Sequence, residues 1–251
     1  MAEWSWDPDD FAVLWYSEAN DRFPHPLRYT SRLASNDEVA AHRAAVRGRY
    51  DVEEIERIEL ALHTLTASDL RIEIGGESTV LGKGKSREYR VLGARTDFHA
   101  VMLTQTAGEG VDGPVRCRLF PVDQLAGRVA AILPSVPPGN AAPDTFHVRD
   151  LQSNTVGATR NSPRERFERL TRGPFDGSAA AGLFAGYLHN RPDPWYTLGW
   201  FDAAGDGRYL QQQTREHLTV RPVAAQDLTR HFDTWIERAR QRLRADELDV
   251  W

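Results

Sequence analysis

The chain has 251 residues, 41% of them hydrophobic and 27% charged, with a net charge of −5, a pI near 5.9 and one cysteine, Cys117. That composition excludes a chain disordered throughout, and the length allows one large domain or two small ones, able to bury about 70% of the unfolded surface without disulfide or metal. The acidic balance argues against a nucleic-acid partner; the lone thiol, the lack of a leader-like start and the lack of an apolar run of about 18 residues point to a cytoplasmic protein off the membrane.

Asp7-Pro8 opens a first helix, a capping side chain followed by proline at the first helical position. Phe11, Leu14, Trp15 and Ala19 then share one stripe, and Pro24-His25-Pro26 ends it. Residues 27–31 read as a short extended piece. Ser35 and Glu38 form a capping box for an Ala- and Arg-rich helix reaching about residue 49. A further helix covers about 52–65, with Ile55, Ile58, Leu62 and Leu65 toward the core. A block of strands follows. Leu70, Ile72 and Ile74 alternate in the first; residues 75–86 are a Gly/Lys/Ser loop; Tyr89, Val91 and Leu92 mark the second strand, 98–106 the third, and Val115, Cys117 and Leu119 the fourth. Pro121 starts a helix carrying Val122, Leu125, Val129, Ile132 and Leu133 on one side. Residues 134–143, with prolines at 134, 137, 138 and 143, form a linker.

The second half repeats the plan. An extended piece at 145–149 and a helix at about 163–170 precede strands at 180–188, 195–201, 208–212 and 217–220. Gly205-Asp206-Gly207 is a hairpin signal. The last helix starts near Ala225, and Leu228, Phe232, Trp235, Ile236, Ala239 and Leu243 form its apolar face. Trp15, Trp195, Trp200 and Trp235 read as core, while Trp4, Trp6 and Trp251 either fold back as covers or rest on a partner.

Both halves run helix, four strands, helix. Residues 119–125, Leu-Phe-Pro-Val-Asp-Gln-Leu, also resemble residues 220–228, Val-Arg-Pro-Val-Ala-Ala-Gln-Asp-Leu, across a two-residue gap. Two open meanders each leave exposed edges; joining them about a pseudo-two-fold covers two of those edges. The expected fold is α/β of the α+β kind: one domain over 1–251, with an N-terminal half at about 1–134, a linker at about 134–144 and a C-terminal half at about 145–251. A central, mostly antiparallel sheet is flanked by helices in two α-ββββ-α halves. Pro-Val before a helix is common in α+β chains, so duplication is one of two readings.

Chemical motifs are sparse. Gly84-Lys85-Ser86 has Thr79 where a phosphate-binding loop needs glycine, and a strand-like segment follows it instead of a helix. Asp202 to Asp206 lacks the Asp-x-Asp spacing of a calcium loop, with Gln213 at its twelfth position. The eight histidines show no metal spacing, and no Gly-x-Ser-x-Gly elbow is present. No catalytic, metal or cofactor residue is assigned.

Four segments carry a resemblance: Phe11-Ala12-Val13-Leu14-Trp15, Phe23-Pro24-His25-Pro26-Leu27, Arg118-Leu119-Phe120-Pro121 and Gly205-Asp206-Gly207-Arg208-Tyr209-Leu210. In order and spacing, over nearly the whole chain, they resemble the EspG family, the ESX (type VII) secretion-associated proteins of actinobacteria. The resemblance implies a cytosolic chaperone that is not an enzyme and has no cofactor. It would bind a helical heterodimer of secretion substrates, PE–PPE pairs in mycobacteria, and keep it soluble before export. It also implies a binding surface on a loop between early strands, here 75–86, and on the C-terminal helical region. The corresponding residues are Leu81, Lys83, Lys85, Arg87 and Trp235. The chain looks shorter than mycobacterial members, so the partner could be another ESX substrate. The competing readings are a small hydrolase with a site across the sheet, using His99 or His189, and a homodimeric scaffold with no secretion role.

Overall fold

The computed structural model describes residues 1–152, 162–188 and 192–248. The described strands are β1 (Ala2–Trp6), β2 (Leu70–Ser78), β3 (Arg87–Arg95), β4 (His99–Gly108), β5 (Val111–Pro121), β6 (Asp144–His147), β7 (Phe175–Ala185), β8 (Tyr196–Ala203), β9 (Gly207–Gln213) and β10 (His217–Pro222). The helices are α1 (Pro8–Trp15), α2 (Asn36–Arg47), α3 (Val52–Thr66), α4 (Leu125–Ala131), α5 (Val148–Gln152), α6 (Pro163–Thr171) and α7 (Ala225–Leu248).

Helix boundaries follow capping chemistry. The Asp7 carboxylate accepts from Asp9 N, and Pro8 opens α1. The Ser35 hydroxyl accepts from Glu38 N while the Glu38 carboxylate reaches back to Ala34 N, starting α2. The Asp51 carboxylate and the Ser162 hydroxyl cap α3 and α6 by accepting from Glu54 N and Glu165 N. The first helix is shorter than its apolar stripe suggests: it stops at Trp15, where Tyr16 is extended, so Ala19 is exposed in a turn outside it. Residues 27–31 join no strand.

All ten strands form one antiparallel sheet, in the order β1-β5-β4-β3-β2-β7-β8-β9-β10-β6. An approximate two-fold axis lies between β2 and β7, whose central pair is Ile74 opposite Ala181. The repeated plan is richer than helix, four strands, helix. Each half also begins with an edge strand, β1 on β5 and β6 on β10. These strands shield the outer meander edges, as the axis shields the inner ones. Trp4 and Trp6 fold back in β1: they stack at 5.8 Å, and the Trp6 indole donates to Tyr50 Oη at 2.8 Å. Trp251 lies outside the described residues.

The two faces of the sheet are covered differently. On one, α4 and α7 lie side by side over Leu70, Ile72, Ile74, Val91, Met102, Leu183 and Trp200. On the other, α1 and α3 cover the N-terminal half through Phe11, Trp15, Ile58 and Leu65. Phe167 and Leu170 of α6 cover Phe146 and Val220 of the C-terminal half. Between those two layers the central strands carry no helix among the described residues.

Candidate partner-binding surface

The uncovered stretch is an open groove of about 1510 Å³. Its floor is small: Gly75 of β2, Ala180 and Gly182 of β7 and Gly199 of β8 share one face by register. A Cβ on Gly75 would meet nothing within 4 Å, and one on Gly199 would meet only ordinary contacts, 3.6 Å from Ala179 O. Neither glycine has a positive φ. Glycine inside a strand weakens it and often marks a bulge, a bend or the close approach of another backbone or ligand; no contact among the described residues requires glycine at these two positions.

One wall is the strap of residues 23–33. Gln105, buried in β4, accepts from Arg28 N and donates to Arg28 O, both at 2.8 Å. His25 Nδ1 lies 2.6 Å from Glu73 Oε2, and the Arg71 guanidinium donates to the other Glu73 oxygen at 2.8 Å. Tyr29 Oη donates to Asp9 at 2.8 Å and Arg32 Nε to the same carboxylate at 2.5 Å. Burial raises the Asp9 pKa, but these bonds outweigh it and hold the group below its ordinary value. The opposite wall is Phe167 and Thr171 of α6 with Phe175 of β7.

The β2–β3 connection lies beyond the end of the groove that Glu77 and Glu88 line. Residues 75–78 belong to strand β2, which corrects the longer loop expected from the sequence; the connection is 79–86. It is fastened by Thr79 N donating to Asp176 O at 2.7 Å, and it turns through Lys83 and Gly84 at φ of 52° and 98°. Lys83, Lys85 and Arg87 are exposed, and Lys85 Nζ sits 2.8 Å from Glu109 Oε1. Leu81 turns inward and packs against the α4–α7 core, so Val80, half-exposed, is the loop's apolar surface. Trp235 does not join this surface. It is 6% exposed, stacked on Tyr196 at 5.9 Å and edge-on to Phe232, and serves the core.

The Gly205–Leu210 segment is a clamp for the linker. Arg208 N donates to Pro137 O at 2.7 Å, Gly139 N donates to Arg208 O, and Tyr209 Oη receives Ala141 N at 2.8 Å. The Arg208 guanidinium pairs with Asp202 at 2.6 and 2.9 Å, buried on both sides. Asp206 accepts from Tyr209 Oη at 2.5 Å and from Asn140, bonds that hold its carboxyl below the usual range. Cys117 is fully buried, which pushes its thiol pKa up. His99 is tied into the β3–β4 turn through Thr96; His189 lies outside the described residues. Among the described residues no three His, Cys, Asp or Glu side chains cluster as metal ligands, and no helix is long and apolar enough to cross a membrane.

Fold and surface together define an α+β scaffold of two repeated halves, with an open groove on one face and a basic loop beyond its Glu77–Glu88 end. The chain belongs to the EspG family, whose model matches residues 7–234. Its fold is similar to that of EspG5, the type VII secretion system chaperone of Mycobacterium tuberculosis solved with the PE25–PPE41 dimer. Identity is 12%, coverage 94% of this chain and 96% of that one, and the TM-score 0.54. HtdX of the same organism aligns over 88% of this chain and 97% of its own at 14% identity, but its TM-score of 0.18 supports no comparison. No curated protein sequence matches significantly.

The floor glycines and the strap escaped the sequence reading. A signal was present: Gly75-Gly76 and Gly199 interrupt strands that are otherwise well patterned.

Proposed function

We propose that this chain is a cytosolic chaperone of a type VII (ESX) secretion system, acting by binding and not by catalysis. Its partner is a helical secretion-substrate pair of the PE–PPE kind, kept soluble until export. The reading is carried by the family match over 7–234 on a fold whose central strands are left open. EspG5 was solved with such a dimer.

The physical logic is mass action. A chaperone that covers an apolar helix tip lowers the free concentration of the sticky form by the factor its affinity sets. The groove receives the tip. Its glycine floor admits the partner's backbone, Phe167, Phe175 and Phe184 supply apolar walls, and Lys83, Lys85 and Arg87 steer acidic surface toward the mouth. A specific contact of this kind buries about 1,200–2,000 Å² in total.

The test is co-expression with PE–PPE-like pairs encoded beside the gene, followed by size-exclusion chromatography. The expected result is a soluble 1:1:1 complex that forms poorly when residues 79–85 are replaced by a short Gly-Ser turn. Substrate pairs that stay equally soluble without this chain would overturn the proposal. The homodimeric scaffold predicts instead a dimer in light scattering that ignores every such pair.

A further inference from the structure

The groove wall at residues 25–28 is neither helix nor strand, so no ladder of backbone bonds holds it in place. Its midpoint rests on one side chain instead. Gln105 of β4 is 1% exposed and by register shares the groove face with Arg90 of β3 and Gly75 of β2. Its carboxamide uses every hydrogen-bonding capacity it has. Oε1 accepts from Arg28 N at 2.8 Å and from Arg90 Nη1 at 3.2 Å, while Nε2 donates to Arg28 O at 2.8 Å and to Gly113 O at 3.3 Å.

Two of these partners fix which way round the amide stands. A guanidinium only donates and a carbonyl only accepts, so the oxygen must face Arg90 and the nitrogen Gly113. A bulge accompanies that contact: Gln105 pairs with Val115 and Ala107 with Asp112, so Thr106 stands against both Gly113 and Pro114. A Cβ at position 113 would lie 2.8 Å from Thr106 O, which reserves the place for glycine. So oriented, the carboxamide presents an acceptor and a donor side by side, as a neighbouring strand presents them to an extended residue. It grips Arg28 by the backbone and leaves that side chain exposed along the groove.

We propose that Gln105 is a positioning residue for substrate binding: it sets where the strap wall stands, and through the wall the affinity for the helical substrate pair. The inference rests on the chaperone reading above. The His25–Glu73 and Tyr29–Asp9 contacts fasten the strap on either side. Losing Gln105 therefore frees the middle of the wall while its ends stay tied. A wall already in its bound position spares the complex the cost of ordering it.

The experiment uses the full chain and two readouts. Gln105→Glu keeps the shape but cannot donate at neutral pH, so Arg28 O and Gly113 O would each face an oxygen. The first readout needs no substrate: limited trypsin cleavage after Arg28, followed by mass spectrometry, should run at least about tenfold faster than in the parent. The second is the Kd for a PE–PPE-like pair by biolayer interferometry, which should rise about tenfold. Asp206→Asn, in the linker clamp and not lining the groove, should keep the parental Kd, which separates positioning from a general loss of stability. Should Gln105→Glu fail to fold, Arg28→Pro removes the Arg28 N–H from the strap side and Arg28→Ala retains it; the proline variant should bind about tenfold more weakly. Unchanged cleavage in Gln105→Glu, faster cleavage with parental affinity, or an equal loss of affinity in Asp206→Asn overturns the proposal. A parent chain that binds no substrate pair overturns the chaperone reading and this proposal with it; the trypsin readout then still tells whether Gln105 holds the strap, so the two failures stay distinct.

Discussion

Gly75 and Gly76 are neighbours in β2 that face opposite sides of the sheet, and the same substitution should act on them with opposite sign. At Gly75 a new Cβ meets nothing within 4 Å. Replacing a mid-strand glycine by a β-branched residue removes backbone entropy from the unfolded chain and suits the strand, a gain of about 0.5–1 kcal/mol. For a chain of this size that raises the melting temperature by roughly 1–4 °C. At Gly76 the Cβ would lie 2.3 Å from Ala179 Cβ, 2.6 Å from Ser178 O and 2.9 Å from the Tyr89 ring. Backbone and a buried ring cannot yield cheaply, so Gly76→Val should cost about 1–3 kcal/mol, or more if β2 and β7 must part. Thermal unfolding by circular dichroism reads both. In co-purification with a substrate pair, the stabler Gly75→Val should be the defective one, because its side chain fills the groove; a Kd raised about tenfold corresponds to about 1.4 kcal/mol. If Gly75→Val melted as low as Gly76→Val, or bound substrate as well as the parent, the assignment of the open face would be wrong.

Asp202→Asn strands Arg208 in the core and should cost about 3–5 kcal/mol, seen as a lower urea midpoint with unchanged slope. The folded-state pKa of Asp206 is depressed by Tyr209 and Asn140. Its contribution is therefore complete above the ordinary value of 3.8 and lost as pH falls through the lower folded value. Asp206→Asn should lower stability at neutral pH and flatten the acid side of the profile below about pH 4, where variant and parent converge; an unaltered acid limb refutes this. Lys83→Glu with Lys85→Glu should slow association with a substrate pair at low salt and leave dissociation nearly unchanged in stopped-flow traces, and the difference should fade at high salt.

Local chemistry was legible in the residues. The caps at Asp7 and Ser35 and the 3.6-residue stripe of α7 rest on short-range rules, and each of these helices starts where it was expected. The four-strand meanders were equally visible, because alternation at Leu70–Ile74 or Val115–Leu119 needs no long-range information. The edge strands were not. β1 is short, and β6 is four residues following a proline-rich linker; they are strands because partners far away in sequence offer them edges. β7 begins at Phe175 because Gly177 to Ala181 find β2 and β8 on either side, although small side chains give no alternation signal. The same limit applied to the surface. Exposed lysines in a Gly-rich loop announce themselves, whereas whether Leu81 and Trp235 face water depends on how α7 lies over the sheet. Family likeness in ordered motifs located the fold, yet one of those motifs, Gly205–Leu210, turns out to hold the linker.

The approximate dyad between β2 and β7 has a bearing on polarity. A channel with two equivalent rims would receive an elongated guest head-first or tail-first at equal free energy. Here one rim is a coil segment locked down by Gln105 and Glu73, and the other is a helix presenting Phe167. Unlike rims on a duplicated base make the two approaches inequivalent, so a repeat-built molecule can tell the front of its cargo from the back.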